Sequence, residues 1–357
     1  MAAASKHPPL LAEKGYTLLP EWAPQSGVML AWPTAESDWG PWLKEVETVY
    51  LHIAREIAHR EKLLVVCHCP NHLAQVKNQL ARHNINPASL SLHVVPFNDT
   101  WVRDYGPLGC LGPERQLQLL DFVFNGWGGK YEASLDNEVT VRLHGQGVFG
   151  TVPLKRLPLT LEGGSLEVDG AGSLLTTTRC LLSGTRNRGL GQATMETQLK
   201  QWLGVKRILW LRHGQLRGDD TDGHIDTLAR FCNPQTICHV ACDDPKDEHY
   251  QELQTMAEEL RALQTIQGIP YRLVPLPWPD PKFSAEGQRL PASYANFLII
   301  NGAILAPTYR DPADTQALSI LQGCFPDRQV VGIDCLPLIQ QYGSLHCITM
   351  QLPAGSL

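Results

Sequence analysis

No Cys-x-x-Cys pair occurs in this sequence, although it holds ten cysteines in 357 residues. Cys67 and Cys69 form the tightest pair, as Cys-His-Cys, so neither a zinc ribbon nor a thioredoxin-type motif is indicated. Met1 to Leu11 lacks the layout of a signal peptide, and without one the thiols are expected to stay reduced in the cytoplasm. No apolar run reaches the ~18 residues of a membrane span. There is no Gly-x-Gly-x-x-Gly after a strand and no phosphate loop, so nucleotide cofactors are unsupported. Positive charge is also scarce. The formal net charge is -6, which argues against a nucleic-acid groove and mildly favours a small cationic partner.

What is present concentrates in a few polar clusters. The densest runs from Gly218 to Phe231 and sets Asp219, Asp220, Asp222, His224 and Asp226 around Gly223 before turning apolar. It reads as a loop entering a buried strand. Residues two apart on a strand share a face, so Asp222, His224 and Asp226 are expected to point the same way. A histidine between carboxylates suits proton transfer beside a bound cation. An exposed acidic loop is the competing reading.

Three more clusters share its character. Asn98 to Pro107 places Trp101, Arg103, Asp104 and Tyr105 in one short segment ending in Gly-Pro. An Asp and a Trp there are able to hold and cover a cation. Trp127 is flanked by Gly126 and Gly128-Gly129, a sign of close backbone approach. Glu162 precedes Gly163-Gly164 at the base of a hairpin, where a carboxylate can be buried and aimed. Cys347 follows the Gly343 loop at a strand mouth, where a thiol can face a pocket.

The coarse periodicity is that of an α/β chain. Helices are expected over 39–60, 71–83, 188–203, 247–267 and 314–321, where apolar residues recur at steps of three and four. Short apolar runs between them read as strands, with hairpins at Asp169-Gly170 and Asn301-Gly302. The rhythm is hairpin, helix, strand. Five such ββαβ units round an axis would bring the polar clusters to one centre, with the hairpin near Asn296 contributing little chemistry.

The motifs Trp101-Val102-Arg103-Asp104-Tyr105-Gly106-Pro107, Asn125-Gly126-Trp127-Gly128-Gly129, Glu162-Gly163-Gly164-Ser165, Asp220 to Asp226 and Leu345-His346-Cys347-Ile348-Thr349 resemble the agmatine deiminase family of the guanidine-modifying, or pentein, superfamily. They stand in that family's order from about Trp22 to Pro353. The Arg-Asp-Tyr run is also similar to bacterial peptidylarginine deiminases. Tyr105, Gly126 and Tyr342-Gly343-Ser344-Leu345 depart from the usual agmatine pattern and bear on the substrate tail.

The resemblance implies a five-bladed α/β propeller of pseudo-fivefold ββαβ units, in one catalytic domain over 1–357 with a flexible N-terminus over 1–15. It implies a cytoplasmic hydrolase converting a small guanidine, agmatine, to N-carbamoylputrescine and ammonia, with no cofactor, no metal and no membrane or nucleic-acid partner; a homo-oligomer is left open. Cys347 would be the nucleophile, His224 the proton carrier, Glu162 its orienting partner, and Asp104 and Asp226 the grip on the guanidinium. Trp101 and Trp127 would line the substrate, and Asp220 would meet a distal amine. Deimination of peptidyl arginine or of another guanidine, amidino transfer, and guanidine binding without catalysis are the alternatives.

Overall fold

A computed structural model describes residues 11–357. The expected flexible N-terminus falls mostly outside the described residues. Of the part inside, Leu11 is buried and Ala12–Lys14 forms a 3-10 turn.

The strands form five small sheets with mixed pairing. The second sheet pairs Leu108–Leu111 antiparallel with Leu117–Val123, which then pairs parallel with Leu154–Thr160 after a helical crossover. The third repeats this with Glu167–Val168, Ser173–Thr177 and Arg207–Leu211. The fourth uses Ala229–Asn233, Thr236–Val240 and Arg272–Leu276. The fifth uses Leu298–Ile300, Ala303–Thr308 and Gln329–Asp334. These four sheets carry the expected hairpin–helix–strand unit.

The first sheet is built differently. Gln25–Ala31, Lys62–Cys67 and Leu90–Val94 are parallel neighbours, and their antiparallel strand is Met350–Pro353, more than 250 residues further along the chain. One unit is therefore completed by distant sequence, which a linear reading of hairpins does not reveal.

Apolar periodicity explains the helices. Leu43–Ala58 buries Val46, Val49, Tyr50, Ile53, Ala54 and Ile57 on one face, the stripe a helix needs to cover a sheet. Pro70 starts the helix Pro70–Arg82, where its missing N–H costs nothing. Two expected helices are shorter than their patterns. The segment expected from 188 begins at Gln192, after the Gly189 and Gly191 backbone. The helix expected to reach 267 is Tyr250–Ala262, and the chain then turns back so that Gln264 bridges to Pro270. The stretch 135–148, whose pattern fits neither period cleanly, contains the short helix Val139–Gly145.

The polar clusters occupy the passages between sheets. Asp104 lies between the first and second, Glu162 between the second and third, and His224 and Asp226 between the third and fourth. Asn296 lies between the fourth and fifth, and Cys347 on the return to the first. Each passage crosses a strand end, so short loops aim polar groups at a shared interior while the strands stay apolar.

Gly204 ends the helix Gln192–Leu203 in a left-handed conformation, φ +66°, and a Cβ there would lie 1.8 Å from the carbonyl oxygen of Tyr16. Gly204→Ala is expected to destabilise the fold by more than about 1 kcal/mol, read as a lowered Tm in thermal melts.

Candidate active site

The strand-face expectation for the acidic motif fails. Ile225–Thr227 is a 3-10 turn, and the strand begins only at Ala229. Asp222 is left-handed at φ 66°, with Gly223 at φ 85° beside it. This double left-handed step breaks the alternation, so the three side chains diverge. Asp222 turns outward to Arg186, with Nη1 to Oδ2 at 2.6 Å, and to Lys130 Nζ at 3.1 Å. His224 and Asp226 turn inward and are almost wholly buried.

His224 sits between two carboxylates. Its Nε2 is 3.3 Å from Glu162 Oε2, and its Nδ1 is 3.6 Å from Asp104 Oδ1. Burial opposes the charged imidazole, but Asp104, Cys180 and Glu162 outweigh it and hold the pKa well above the usual histidine range. Glu162 is fully buried and accepts from Arg186 Nε at 2.8 Å on both oxygens. Burial would raise its pKa; His224 and Arg186 reverse that and keep it low.

Asp104 is fixed on three sides. Trp127 Nε1 donates to its Oδ2 at 2.8 Å, Gly164 N donates to its Oδ1 at 3.0 Å, and His224 lies beyond. Trp127 reaches it from a tight turn with φ 53° at Trp127 and φ 90° at Gly128. A bulky residue at positive φ is costly and persists where its surroundings demand it. Asp226 accepts from His346 Nδ1 at 2.8 Å through Oδ2, while its buried Oδ1 has no partner among the described residues. Burial would raise the Asp226 pKa, but His346, His224 and Arg230 hold it low.

Cys347 lies against this group. Its Sγ is 3.9 Å from Asp226 Oδ2 and 3.4 Å from Asn296 Nδ2. Burial, and then the negative charges of Asp226 and Asp104, push the thiol well above its ordinary range. These neighbours favour a protonated sulfur, and a cation placed between the two aspartates would reverse that bias.

Above these groups a pocket is lined by Trp101, Asp104, Trp127, Tyr131, Asp220 and Cys347, with Asp38 and Asp99 at its walls. Gly343 packs on Trp101, where a Cβ would be 2.2 Å from the ring. Asp220 reaches the cavity, but its carboxylate already bonds Tyr131 Oη at 2.5 Å and Lys130 Nζ at 3.2 Å. Glu162, Cys180 and His224 bring ligand atoms within 4.8 Å of one another. Because Arg186 occupies both Glu162 oxygens, this is a charge-paired dyad rather than a cation cage.

Four contributors escaped the sequence reading. Asn296, assigned little chemistry, bonds the Cys347 sulfur and also accepts from His346 N at 2.9 Å. Arg186 neutralises Glu162 and ties it to the Asp222 loop. Cys180 places its Sγ 3.6 Å from Glu162 Oε2. His346 bridges Asp226 to Glu21, with Nε2 to Oε2 at 2.7 Å. The one available signal was position, since His346 adjoins Cys347; the other three carry none.

A profile of the Porphyromonas-type peptidyl-arginine deiminase family matches residues 17–353. The agmatine deiminase of Pseudomonas syringae pv. tomato is 33% identical over 363 residues, covering 95% of this chain and 96% of that protein. The chain belongs to the agmatine deiminase and Porphyromonas-type peptidyl-arginine deiminase family. Within this deiminase family, a substrate-bound Cys-to-Ser agmatine deiminase of C. jejuni is 36% identical at a TM-score of 0.87, covering 94% of this chain and 96% of that one. A Porphyromonas gingivalis structure provisionally named an arginine deiminase is 50% identical at a TM-score of 0.89, covering 95% and 99%. As a family member the chain is a hydrolase of carbon–nitrogen bonds in linear amidines.

Two substitutions probe the geometry. A Cβ on Gly164 would lie 2.6 Å from His224 Nδ1 and 2.9 Å from Asp104 Oδ1. Gly164→Ala is expected to lower kcat/KM by about 10²-fold, the cost of a displacement of about 1 Å, with a much smaller change in Tm. Asp226→Asn removes one negative charge beside Cys347, so the thiol should ionise at lower pH. Alkylation of the Cys347 peptide by iodoacetamide should then quicken at neutral pH while kcat/KM falls. Slower alkylation in that variant would contradict the electrostatic account.

Proposed function

We propose that the chain hydrolyses agmatine to N-carbamoylputrescine and ammonia, as one catalytic domain in a reducing, cytoplasmic setting. In this reading the five sheets are the blades of a propeller, and the inter-sheet passages meet at its axis. The single observation that carries it is the unpartnered, buried Oδ1 of Asp226, on a carboxylate whose other oxygen is 3.9 Å from the Cys347 sulfur. A buried carboxylate oxygen without a donor is costly, and a planar guanidinium supplies donors in a fork that suits it.

The guanidinium would lie between Asp104 and Asp226, with its central carbon over Cys347. Its charge offsets the two aspartates that keep the thiol protonated, so substrate binding itself favours the thiolate. Sulfur attacks the carbon, and the tetrahedral adduct collapses by breaking one C–N bond. His224, held protonated by its neighbours, gives its proton to the departing ammonia. The resulting amidino-cysteine is a cation, and the chemistry calls for no oxyanion hole. His224, now neutral, takes a proton from water as the oxygen attacks; the C–S bond breaks, the thiolate returns, and the protonated urea so formed gives its remaining hydroxyl proton to the released ammonia or to solvent. Glu162 keeps the imidazole in register, and Arg186 keeps Glu162 ionised.

The tail preference rests on the charge of the mouth. Asp38, Asp99 and Asp220 line it, and Lys130 is already paired to Asp220 and Asp222. An ammonium tail suits these walls, whereas a free α-carboxylate meets like charge. The Asp38 carboxylate, free of protein partners among the described residues, is the better acceptor for the distal amine; Asp220 would have to share it with Lys130 and Tyr131.

Ammonia release measured across agmatine, free arginine and arginine-terminated peptides tests this. Agmatine should show the highest kcat/KM, and Cys347→Ala should reduce release to background while leaving the melt intact. Preference for peptides would move the assignment to peptidyl-arginine deimination. Product without oxygen-18 from labelled water, formed only with an added amine, would move it to amidino transfer.

A further inference from the structure

Three thiols outside the chamber converge on one point. Cys232 lies on Ala229–Asn233 and Cys238 on the neighbouring antiparallel strand Thr236–Val240. The register shift between Phe231 and Asn233 brings Cys232 alongside Cys238, with the Sγ atoms 2.9 Å apart. Cys324 is the last residue of the helix Asp314–Cys324, which belongs to the fifth sheet's crossover, and its Sγ is 3.5 Å from that of Cys238. All three sulfurs lie within 4.8 Å of one another.

Ordinary core packing accounts for an isolated buried cysteine, which behaves as a small apolar residue. It does not account for three sulfurs gathered from one sheet and a separate helix at one point. Cys232 and Cys238 are buried, and Cys324, at the end of its helix, is half-buried. No disulfide joins them. A set of three thiols with no carboxylate or imidazole selects soft, thiophilic ions.

We propose that Cys232, Cys238 and Cys324 form a binding site for one thiophilic d¹⁰ cation of the Zn²⁺ class, joining the fourth sheet to the helix of the fifth. Sulfurs arranged tetrahedrally at the usual Zn–S distance stand about 3.8 Å apart, so the pair at 2.9 Å opens by less than an ångström. The fourth position faces the half-exposed side and takes water or an external thiol. Binding converts three thiols and one divalent ion into a trithiolate complex of charge -1 and releases three protons. Arg272, on the adjacent strand and close enough to act on Cys324, offsets that charge.

The test uses the reduced, metal-free full chain titrated with Cd²⁺, followed by sulfur-to-metal charge-transfer absorption and proton release. The wild type and Cys347→Ala should both bind one equivalent with the same band, which separates this site from the nucleophile. Cys324→Ala and Cys238→Ala should lose the band, with circular dichroism and melting confirming their fold; should Cys238→Ala not fold, Cys324→Ala at the half-exposed position decides. Absence of the band in the wild type, or its persistence in Cys324→Ala, overturns the proposal. So does a Cys232–Cys238 disulfide in fresh protein that takes up no Cd²⁺ after reduction.

Discussion

Charge matching inside a dry interior is the constraint on which the rest depends. Glu21, Asp104, Glu162, Glu167 and Asp226 are all buried, and they face Arg103, Arg186, Arg230, His224 and His346. Removing an ion from water costs several kcal/mol even after relaxation. Each of these groups therefore needs a partner held at the right distance, and most have one. Arg230 is the hub of the lower layer, with Nη2 at 2.8 Å from Glu21, Nε on Glu167, and Nη1 on the carbonyl of Phe297 at 2.6 Å. His346 carries that layer upward to Asp226.

The upper layer is left incomplete at one place. Asp226 Oδ1 lacks a donor, and the thiol beside it is pushed toward its neutral form by the same carboxylates. Under the proposed function a flat cation relieves both conditions, which ties the cost of the unpaired carboxylate oxygen to recognition and to activation of sulfur at once. Trp127 holds an unfavourable backbone angle while its indole fixes the Asp104 carboxylate.

The sequence made part of this legible. Glycines beside Trp127 marked close approach, the pair after Glu162 marked a buried and aimed carboxylate, and the structure gives both a reason. Gly164 N bonds Asp104, and Gly128 admits no Cβ beside Thr185. The repeating hairpin–helix–strand order was readable because its apolar periods change cleanly between two and 3.6 residues. What stayed hidden depended on three-dimensional closure. Arg186 stands in Thr-Arg-Asn-Arg, where nothing distinguishes it from a solvated arginine. Asn296 looked like a hairpin residue. The alternation assumed for Asp222, His224 and Asp226 failed because Gly223 and its left-handed neighbour permit a turn where a strand was expected. The antiparallel partner of Gln25–Ala31 comes from the opposite end of the described chain, and no local pattern announces such a pairing.

That pairing has a consequence for biosynthesis. Cys347 is only three residues from Met350, which begins the strand that closes the first sheet. A nascent polypeptide emerging from the ribosome can fold its middle sheets while its opening strands still wait for an edge. Cys347 enters the interior in the same event that closes the first sheet. Partly made chains consequently carry Asp104, Glu162, His224 and Asp226 without the sulfur that completes their cluster.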